Sequence, residues 1–234
     1  MIQFNGTRST ALGVFVEKYP PRPIPQRKHE RFSVPGRSGD VIAWEDAWEN
    51  VEQKYSIYLS AEGPGLPIVA AKVTRWLFAE GYLPLEDEYD RDTFRLAAFT
   101  GPLDLENTLN AFGRAEISFD CRPQRYLKSG WSARSVANGA ALVNPTDFPA
   151  RPIITLHGSG SGVLTIGGQT LTLVAHEGMI LDCEEEEAYL PGPPVSNLNA
   201  AVSGSYPKLG AGSSAVSWTG GITGIEIAPR WYEL

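Results

Sequence analysis

The 234-residue sequence is poor in cysteine and has fewer basic than acidic residues, and both shortages limit what the chain can be. Its two cysteines, Cys121 and Cys183, are far apart in sequence. We predict that both are small buried hydrophobic residues, and a disulfide between them is the less favoured alternative. The chain has 20 basic and 27 acidic residues, so its formal net charge is −7. This balance disfavours a nucleic-acid-binding protein, which usually carries a basic patch.

Long hydrophobic segments are also missing. No apolar run approaches the roughly 20 residues that a transmembrane helix needs. The first residues, Met1–Gly6, have neither the basic region nor the apolar stretch of a signal peptide. We therefore expect a soluble protein that is made in a reducing cytosol and has no membrane partner.

Motifs for catalysis or metal binding are nearly absent. His29, His157 and His176 are isolated and fit no metal-ligand spacing. Gly210–Ala215 loosely matches a dinucleotide-binding fingerprint, but no helix is predicted after it. The acidic run Glu184–Glu187 predicts a solvated strand edge, with a Ca²⁺ site as the less favoured alternative. The sequence thus predicts no enzyme, no metal and no cofactor.

Glycine and proline are frequent, with 24 and 18 residues, as expected for many short strands joined by turns. Asn5–Gly6 and Gly167–Gly168 are pairs that two-residue hairpin turns favour. One helix is predicted at about residues 67–80, between Pro67 and Gly81. The apolar positions on one side of this helix are Val69, Val73, Trp76 and Leu77.

Most other segments predict strands. In the first half these are Ile2–Phe4, Leu12–Val16, Tyr55–Leu59, Thr93–Thr100 and Ala111–Cys121. In the second half they are Ile153–Leu156, Val163–Ile166, Leu171–Val174, Met179–Leu190, Ala215–Trp218 and Ile222–Ala228, with a flexible turn at residues 158–162. Residues 43–51 are ambiguous, because their apolar residues fit helical spacing. Composition shifts within residues 131–149, so we expect two domains, residues 1–140 and 141–234.

The most specific local signal is the stretch Phe32–Asp40. Its Pro35–Gly36 pair predicts a tight turn, because proline presets the first central φ angle and glycine accepts a positive second one. Gly39–Asp40 adds a second turn signal before a strand. We expect the Arg37 side chain to anchor the turn through hydrogen bonds to carbonyl or carboxylate oxygens.

A second signal lies at Ile117–Tyr126, where Phe119, Cys121 and Pro123 form a Phe-x-Cys-x-Pro strand end. With the earlier segment Val34-Pro35-Gly36-Arg37-Ser38-Gly39-Asp40, in this order, the chain resembles the distal tail protein (Dit) family of long-tailed (siphovirus) bacteriophages. The likeness extends over the whole chain, to Ile225–Trp231 near its end. Ser38 departs from the family pattern, where aspartate is more usual.

The resemblance implies a mainly β fold, with an N-terminal β-sandwich that carries one α-helix and a C-terminal galectin-like β-sandwich. It implies a homo-hexameric ring, formed through the N-terminal halves, at the tail tip of the virion. The ring would join the tail tube protein to the tail-tip hub protein, a tail-associated lysin or tail fibre, and would hold receptor-binding or side-fibre proteins.

DNA would pass the lumen of this ring without specific binding. Six copies would carry a formal charge of about −42, and we expect part of this acidic excess to line the lumen.

An alternative function is a stand-alone carbohydrate-binding module that recognises glycans of the host cell surface. Aromatic side chains stack on sugar faces, and Trp218 in the second half is the candidate glycan contact. This hypothesis requires Trp218 to be exposed in a groove beside polar groups. A galectin-like fold alone does not establish sugar binding.

Overall fold

The structure is a computed structural model that describes residues 1–61, 65–104, 106–109 and 112–234, without side chains for 107–109. The chain divides into two compact units, Met1–Arg125 with Leu234, and Tyr126–Glu233. This division comes earlier than the boundary expected near residue 140. Within residues 131–149, whose composition suggested a linker, two short strands pair with the long strand Gly212–Ala228 of the second unit. The segment is therefore part of the second unit.

Among the described residues, the first unit contains ten strands and one α-helix. The strands are β1 Ile2–Phe4, β2 Thr7–Arg8, β3 Val14–Val16, β4 Arg27–Phe32, β5 Val41–Trp48, β6 Val51–Ser60, β7 Leu83–Asp87, β8 Thr93–Phe99, β9 Glu106–Leu109 and β10 Phe112–Leu127, and the helix is α1 Leu66–Leu77. The main sheet has the order β2-β1-β7-β8-β10-β6-β3, with β9 paired to β10. Strand β10 continues past Arg125 into the second unit. Ala111, the expected start of this strand, lies outside the described residues.

The core of the first unit lies between this sheet and α1. Every second residue of β6, from Val51 to Leu59, is buried, as the period of a strand with one inward face requires. Helix α1 buries Val69, Val73, Trp76 and Leu77, as predicted, and the Trp76 indole N–H donates to the Phe4 carbonyl. The helix ends at Leu77, before the expected residue 80, and Phe78 takes the capping position.

Strands β4 and β5 form a separate two-stranded sheet. Residues 43–48 are therefore a strand, and the helical alternative is wrong. The apolar residues of this segment fit helical spacing although they lie on a strand that is exposed over most of its length. Since no buried face imposes strict alternation on such a strand, periodicity alone does not identify it.

The second unit also consists mainly of β-strands. They are β11 Arg134–Val136, β12 Ala141–Asn144, β13 Ile153–Ile166, β14 Gln169–Ala175, β15 Met179–Asp182, β16 Glu187–Leu190, β17 Ser196–Asn197, β18 Val202–Gly204, β19 Gly212–Ala228 and β20 Tyr232–Glu233. Their sheet has the order β11-β19-β13-β15-β16-β17, with β12 on β19, and β14 joined to β13 and β18.

Two strands of this unit are longer than predicted. The glycine-rich residues 158–162, expected to be a flexible turn, lie inside β13, and the two strands expected at 215–228 are one strand, β19. These strands pair along their length with register shifts at Gly158 and Gly162. Glycine is required here because a Cβ atom at Gly158 would lie 2.2 Å from the Gly221 carbonyl oxygen.

The predicted fold class, mainly β with one helix in the first half, is confirmed, and the curled sheets are consistent with β-sandwiches. Both hairpin turns predicted from residue pairs are present, with positive φ at Asn5, Gly6, Gly167 and Gly168. Within the described part of the chain, no helix is long and apolar enough to cross a membrane.

Candidate interaction surfaces

The Val34–Arg37 turn lies at the tip of the β4–β5 hairpin, which we call the arm (residues 27–48). The Arg37 backbone N–H donates to the Val34 carbonyl over 3.1 Å, and φ is +81° at Gly36, the geometry of a type II turn. Gly39 also has a positive φ, and Asp40 precedes β5. The expectation for Arg37 needs correction, since its exposed side chain makes no hydrogen bond or ion pair with any described residue.

The arm exposes large apolar side chains. Trp44 is 57% exposed, and the others are Phe32, Val34, Val41 and Ile42. Within the described ranges, β4 and β5 pair only with each other. An isolated two-stranded hairpin is at best marginally stable in water. The arm is therefore a candidate for burial against a partner.

One part of the arm combines positive charge with an aromatic ring. The Arg27 guanidinium carbon lies 5.7 Å from the centre of the Trp44 ring, and the His29 and Trp44 ring centres are 5.2 Å apart. Arg31 Nε donates to His29 Nε2 over 3.2 Å. This cationic–aromatic cluster, Arg27, His29, Arg31 and Trp44, suits an acidic partner surface.

The second sequence motif lies inside β10 and belongs to the core. The strand end expected at this motif is wrong, because β10 continues to Leu127. Phe119 is fully buried, and its ring centre lies 5.0 Å from that of Phe4 and 6.0 Å from that of Phe99. Cys121 is a free, buried thiol whose pKa is raised by burial to about 12. Pro123 contributes its carbonyl oxygen, which accepts a hydrogen bond from Arg95 over 2.9 Å.

Arg95 and Gln53 were missed by the sequence reasoning. They line a cleft of the first unit together with Tyr19, Tyr55 and Asp87. Arg95 is 6% exposed and Gln53 is 5% exposed, and burial lowers the pKa of the guanidinium. The sequence signal that could have identified them is a polar residue at an inward position of a strand whose other inward residues are apolar. Gln53 lies between Val51 and Tyr55 on β6. Arg95 lies two residues before Ala97 on β8.

The buried Tyr55 and the partly buried Asp87 form a polar pair in this cleft. The Tyr55 hydroxyl donates to Asp87 Oδ2 over 3.0 Å, and Asp87 Oδ1 accepts from the backbone N–H groups of Tyr89 and Asp90. Burial, together with the Asp87 carboxylate, raises the pKa of Tyr55 well above its usual value. Tyr55 therefore stays protonated and acts as a donor.

The acidic run Glu184–Glu187 was expected on one long strand. It lies instead mostly in the turn between β15 and β16. Asp182 nucleates this turn by accepting the backbone N–H of Glu184 over 2.9 Å. Arg230 offsets part of the charge, with Nη1 at 3.2 Å from Asp182 and 3.3 Å from Glu184. Among the described residues, no group of His, Cys, Asp or Glu could hold a metal ion.

Trp218 does not have the exposure that the glycan hypothesis requires. It is 8% exposed and packs in the core of the second unit. Its backbone N–H and carbonyl are bound by the Asn138 side chain. The ring face is thus covered by protein and is not free to stack on a sugar.

Comparisons with known proteins give a likeness at the level of the fold. No family model matches the chain, and no curated protein matches it. The crystal structure of SPP1 Dit (gp 19.1), described as a paradigm of the hub adsorption apparatus in phages that infect Gram-positive bacteria, is similar, with a TM-score of 0.72. The match covers 97% of each chain at 13% sequence identity. The chain therefore has a Dit-like fold.

Proposed function

We propose that this chain is a structural component of a bacteriophage tail, and that it forms the hub ring joining the tail tube to the tail-tip proteins. The observation that carries this proposal is the Dit-like fold over 97% of both chains. The order of the Pro-Gly-Arg turn and the Phe-x-Cys-x-Pro motif in the sequence supports it independently. In this role the protein acts through assembly and not through catalysis, as a part of the virion.

The arm is the proposed contact between neighbouring copies in a hexameric ring. A closed ring needs a head-to-tail contact in which one surface of a copy meets a different surface of the next. Residues 27–48 include four basic and four acidic residues, so the entire formal charge of −7 lies outside the arm. The cationic–aromatic cluster of one arm is thus complementary in charge to the acidic remainder of a second copy.

In this role the ring also binds other tail proteins. The ring would bind the tail tube protein on one side and the tail-tip hub protein on the other, and would hold receptor-binding or side-fibre proteins at its periphery. These partners follow from the family resemblance and from the hub apparatus to which SPP1 Dit belongs.

The test is negative-stain microscopy of concentrated protein, with the mass measured by light scattering on the same sample. We expect six-fold rings with a central hole. A double variant, Ile42→Ser with Trp44→Ser, should lose the rings because it removes exposed apolar surface from the arm. The matched control, Val143→Ser with Val195→Ser, removes exposed apolar surface from the second unit and should retain them.

A parent protein that stays monomeric at every concentration contradicts self-assembly. Rings would then have to form on a tail-tube template, which co-purification with the tube protein would reveal. Rings that persist in the double arm variant contradict the role of the arm.

A further inference from the structure

The segment between β3 and the arm is rich in proline and pairs with no strand among the residues that the structure describes. We call residues 20–26 the strap; four of its seven residues are proline, at positions 20, 21, 23 and 25. Proline has no backbone N–H, so the strap cannot pair as a sheet strand does. Its carbonyl groups remain available as acceptors.

Two buried side chains bind these carbonyl groups. Gln53 Nε2 donates to the Pro21 carbonyl oxygen over 2.9 Å, and Arg95 Nη2 donates to that of Pro23 over 3.0 Å. The donors come from the inward faces of β6 and β8. Buried donors of this kind are costly to leave unpaired, so they favour the docked strap over a detached one.

Arg95 connects the strap to a second segment. Its Nη1 donates to the Pro123 carbonyl over 2.9 Å and to that of Arg122 over 3.4 Å, while Nη2 holds Pro23. The planar guanidinium directs its donors in fixed directions, which a lysine ammonium group does not. One side chain therefore joins the end of β10 to the root of the arm.

Two further contacts surround the strap. Tyr19, just before it, packs on Tyr89 with ring centres 4.4 Å apart, and Arg22 lies 3.7 Å from Asp90. The Arg22 side chain is 65% exposed, so this ion pair contributes little. Two more contacts hold the end of the strap: the Glu49 backbone N–H donates to the Gln26 carbonyl over 2.9 Å, and Pro25 is buried. Gln53 and Arg95 are the side chains that bind its middle, at Pro21 and Pro23.

We propose that the inward side chains Gln53 and Arg95 form a binding site for the chain's own proline strap, which supplies one wall of the neighbouring cleft, and that they are positioning residues that fix the root of the arm. The ligand class is an extended, proline-rich segment recognised through its backbone carbonyl groups. The consequence for ring assembly rests on the proposed function, whereas the docking of the strap does not.

The test measures the mobility of the strap in the full chain by spin-label spectroscopy. Ile24 is 81% exposed, so a label on Ile24→Cys does not disturb packing, and the two native cysteines are buried. In this background, Gln53→Glu removes the donor to Pro21 and places a carboxylate against the carbonyl oxygen. We expect the mobile fraction of the label to rise about five- to tenfold, as the loss of one buried hydrogen bond implies.

Gln169→Glu is the matched control. Gln169 Nε2 donates to the Lys208 carbonyl over 3.0 Å in the second unit, so the same change is made away from the strap. In this control, the label at position 24 should be as immobile as in the parent. Arg95→Lys is a second variant that keeps the charge but cannot hold Pro23 and Pro123 together, and its label should also become mobile.

Three outcomes overturn the proposal: a mobile label in the parent, an immobile label in Gln53→Glu, or equal mobility in Gln53→Glu and Gln169→Glu. All measurements use protein diluted to the monomer, so the absence of rings does not affect them. Conversely, a docked strap in a protein that never forms rings would contradict the proposed function alone.

Discussion

At the scale of single residues, two polar side chains occupy inward-facing strand positions that are otherwise occupied by apolar residues. Gln53 and Arg95 both point inward, and both donate to main-chain carbonyl groups. Burying a charge is costly unless hydrogen bonds compensate for it. The three carbonyl oxygens around Arg95 supply that compensation and also fix which segments meet in the cleft.

The Cys121 thiol gives the protein a predictable response to alkaline pH. Burial raises its pKa in the folded protein to about 12, above the usual range of a cysteine, so at alkaline pH the unfolded chain loses a proton that the folded chain retains. The resulting stability is present below about pH 8.5 and decreases as pH rises towards 12. In Cys121→Ala, the loss of stability between about pH 8 and 10 should be smaller by about 1.5 kcal/mol.

Guanidinium chloride unfolding at the two pH values measures this difference. Burial also raises the pKa of Cys183, so the variant retains part of the alkaline destabilisation. An identical pH dependence in parent and variant would show that Cys121 ionises equally in both states.

At the scale of elements, the second unit depends on the close approach of β13 and β19. Gly158 has a φ of +115°, and a Cβ atom there would also meet the Thr223 backbone nitrogen at 2.9 Å. Backbone atoms cannot move aside as a flexible side chain can. The two strands therefore stay paired through their register shifts only because glycine occupies this position.

Gly158→Ala should destabilise the second unit by about 2–4 kcal/mol, because it combines backbone strain with a steric clash. Gly168→Ala is the control, since Gly168 has a φ of +81° but open space around its Cβ position. It should cost only about 1 kcal/mol, the strain of a left-handed residue. Chemical denaturation of both variants tests the difference, and equal costs would show that the close approach relaxes easily.

Prediction from the sequence succeeded where local chemistry decides the structure. The pairs Asn5–Gly6 and Gly167–Gly168 specify their turns, and the apolar stripe of α1 specifies its buried side. Prediction failed where the local structure depends on contacts with residues that are distant in sequence or absent from the segment. The arm lacks a buried face, and the turn after Asp182 depends on that carboxylate and on Arg230, 48 residues later.

The candidate interaction surface was predictable only in part. The type II turn at its tip follows from Pro35 and Gly36, whereas the length of the arm and its exposure do not. Nothing in the local sequence shows that Gln53 and Arg95 face a proline segment more than 25 residues away, because such pairing is a property of the folded chain.

At the scale of the whole molecule, charge is unevenly distributed. The net charge of −7 lies outside the arm, whose basic and acidic residues balance. For the proposed ring, we expect part of this acidic excess to line the lumen. Acidic surface does not gain the counterion release that drives proteins onto DNA.

The protein should therefore not bind double-stranded DNA, even at about 50 mM salt, where phosphate contacts are strongest. Fluorescence anisotropy of a labelled duplex, titrated with parent protein, measures this. Saturable binding that weakens steeply with salt would contradict the expectation. Its loss in Arg27→Ser with Arg31→Ser would then locate the DNA contact on the arm.

The way in which the strap is bound has a consequence for evolution. Gln53 and Arg95 recognise carbonyl oxygens, which every amino acid possesses, so the exposed side chains of the strap are free to change as long as the segment stays extended and Pro25 stays buried. The hairpin that follows can then diverge in length and sequence without disturbing the body of the fold. Selection can thus exchange the arm for a new partner while the two residues that hold its root stay the same.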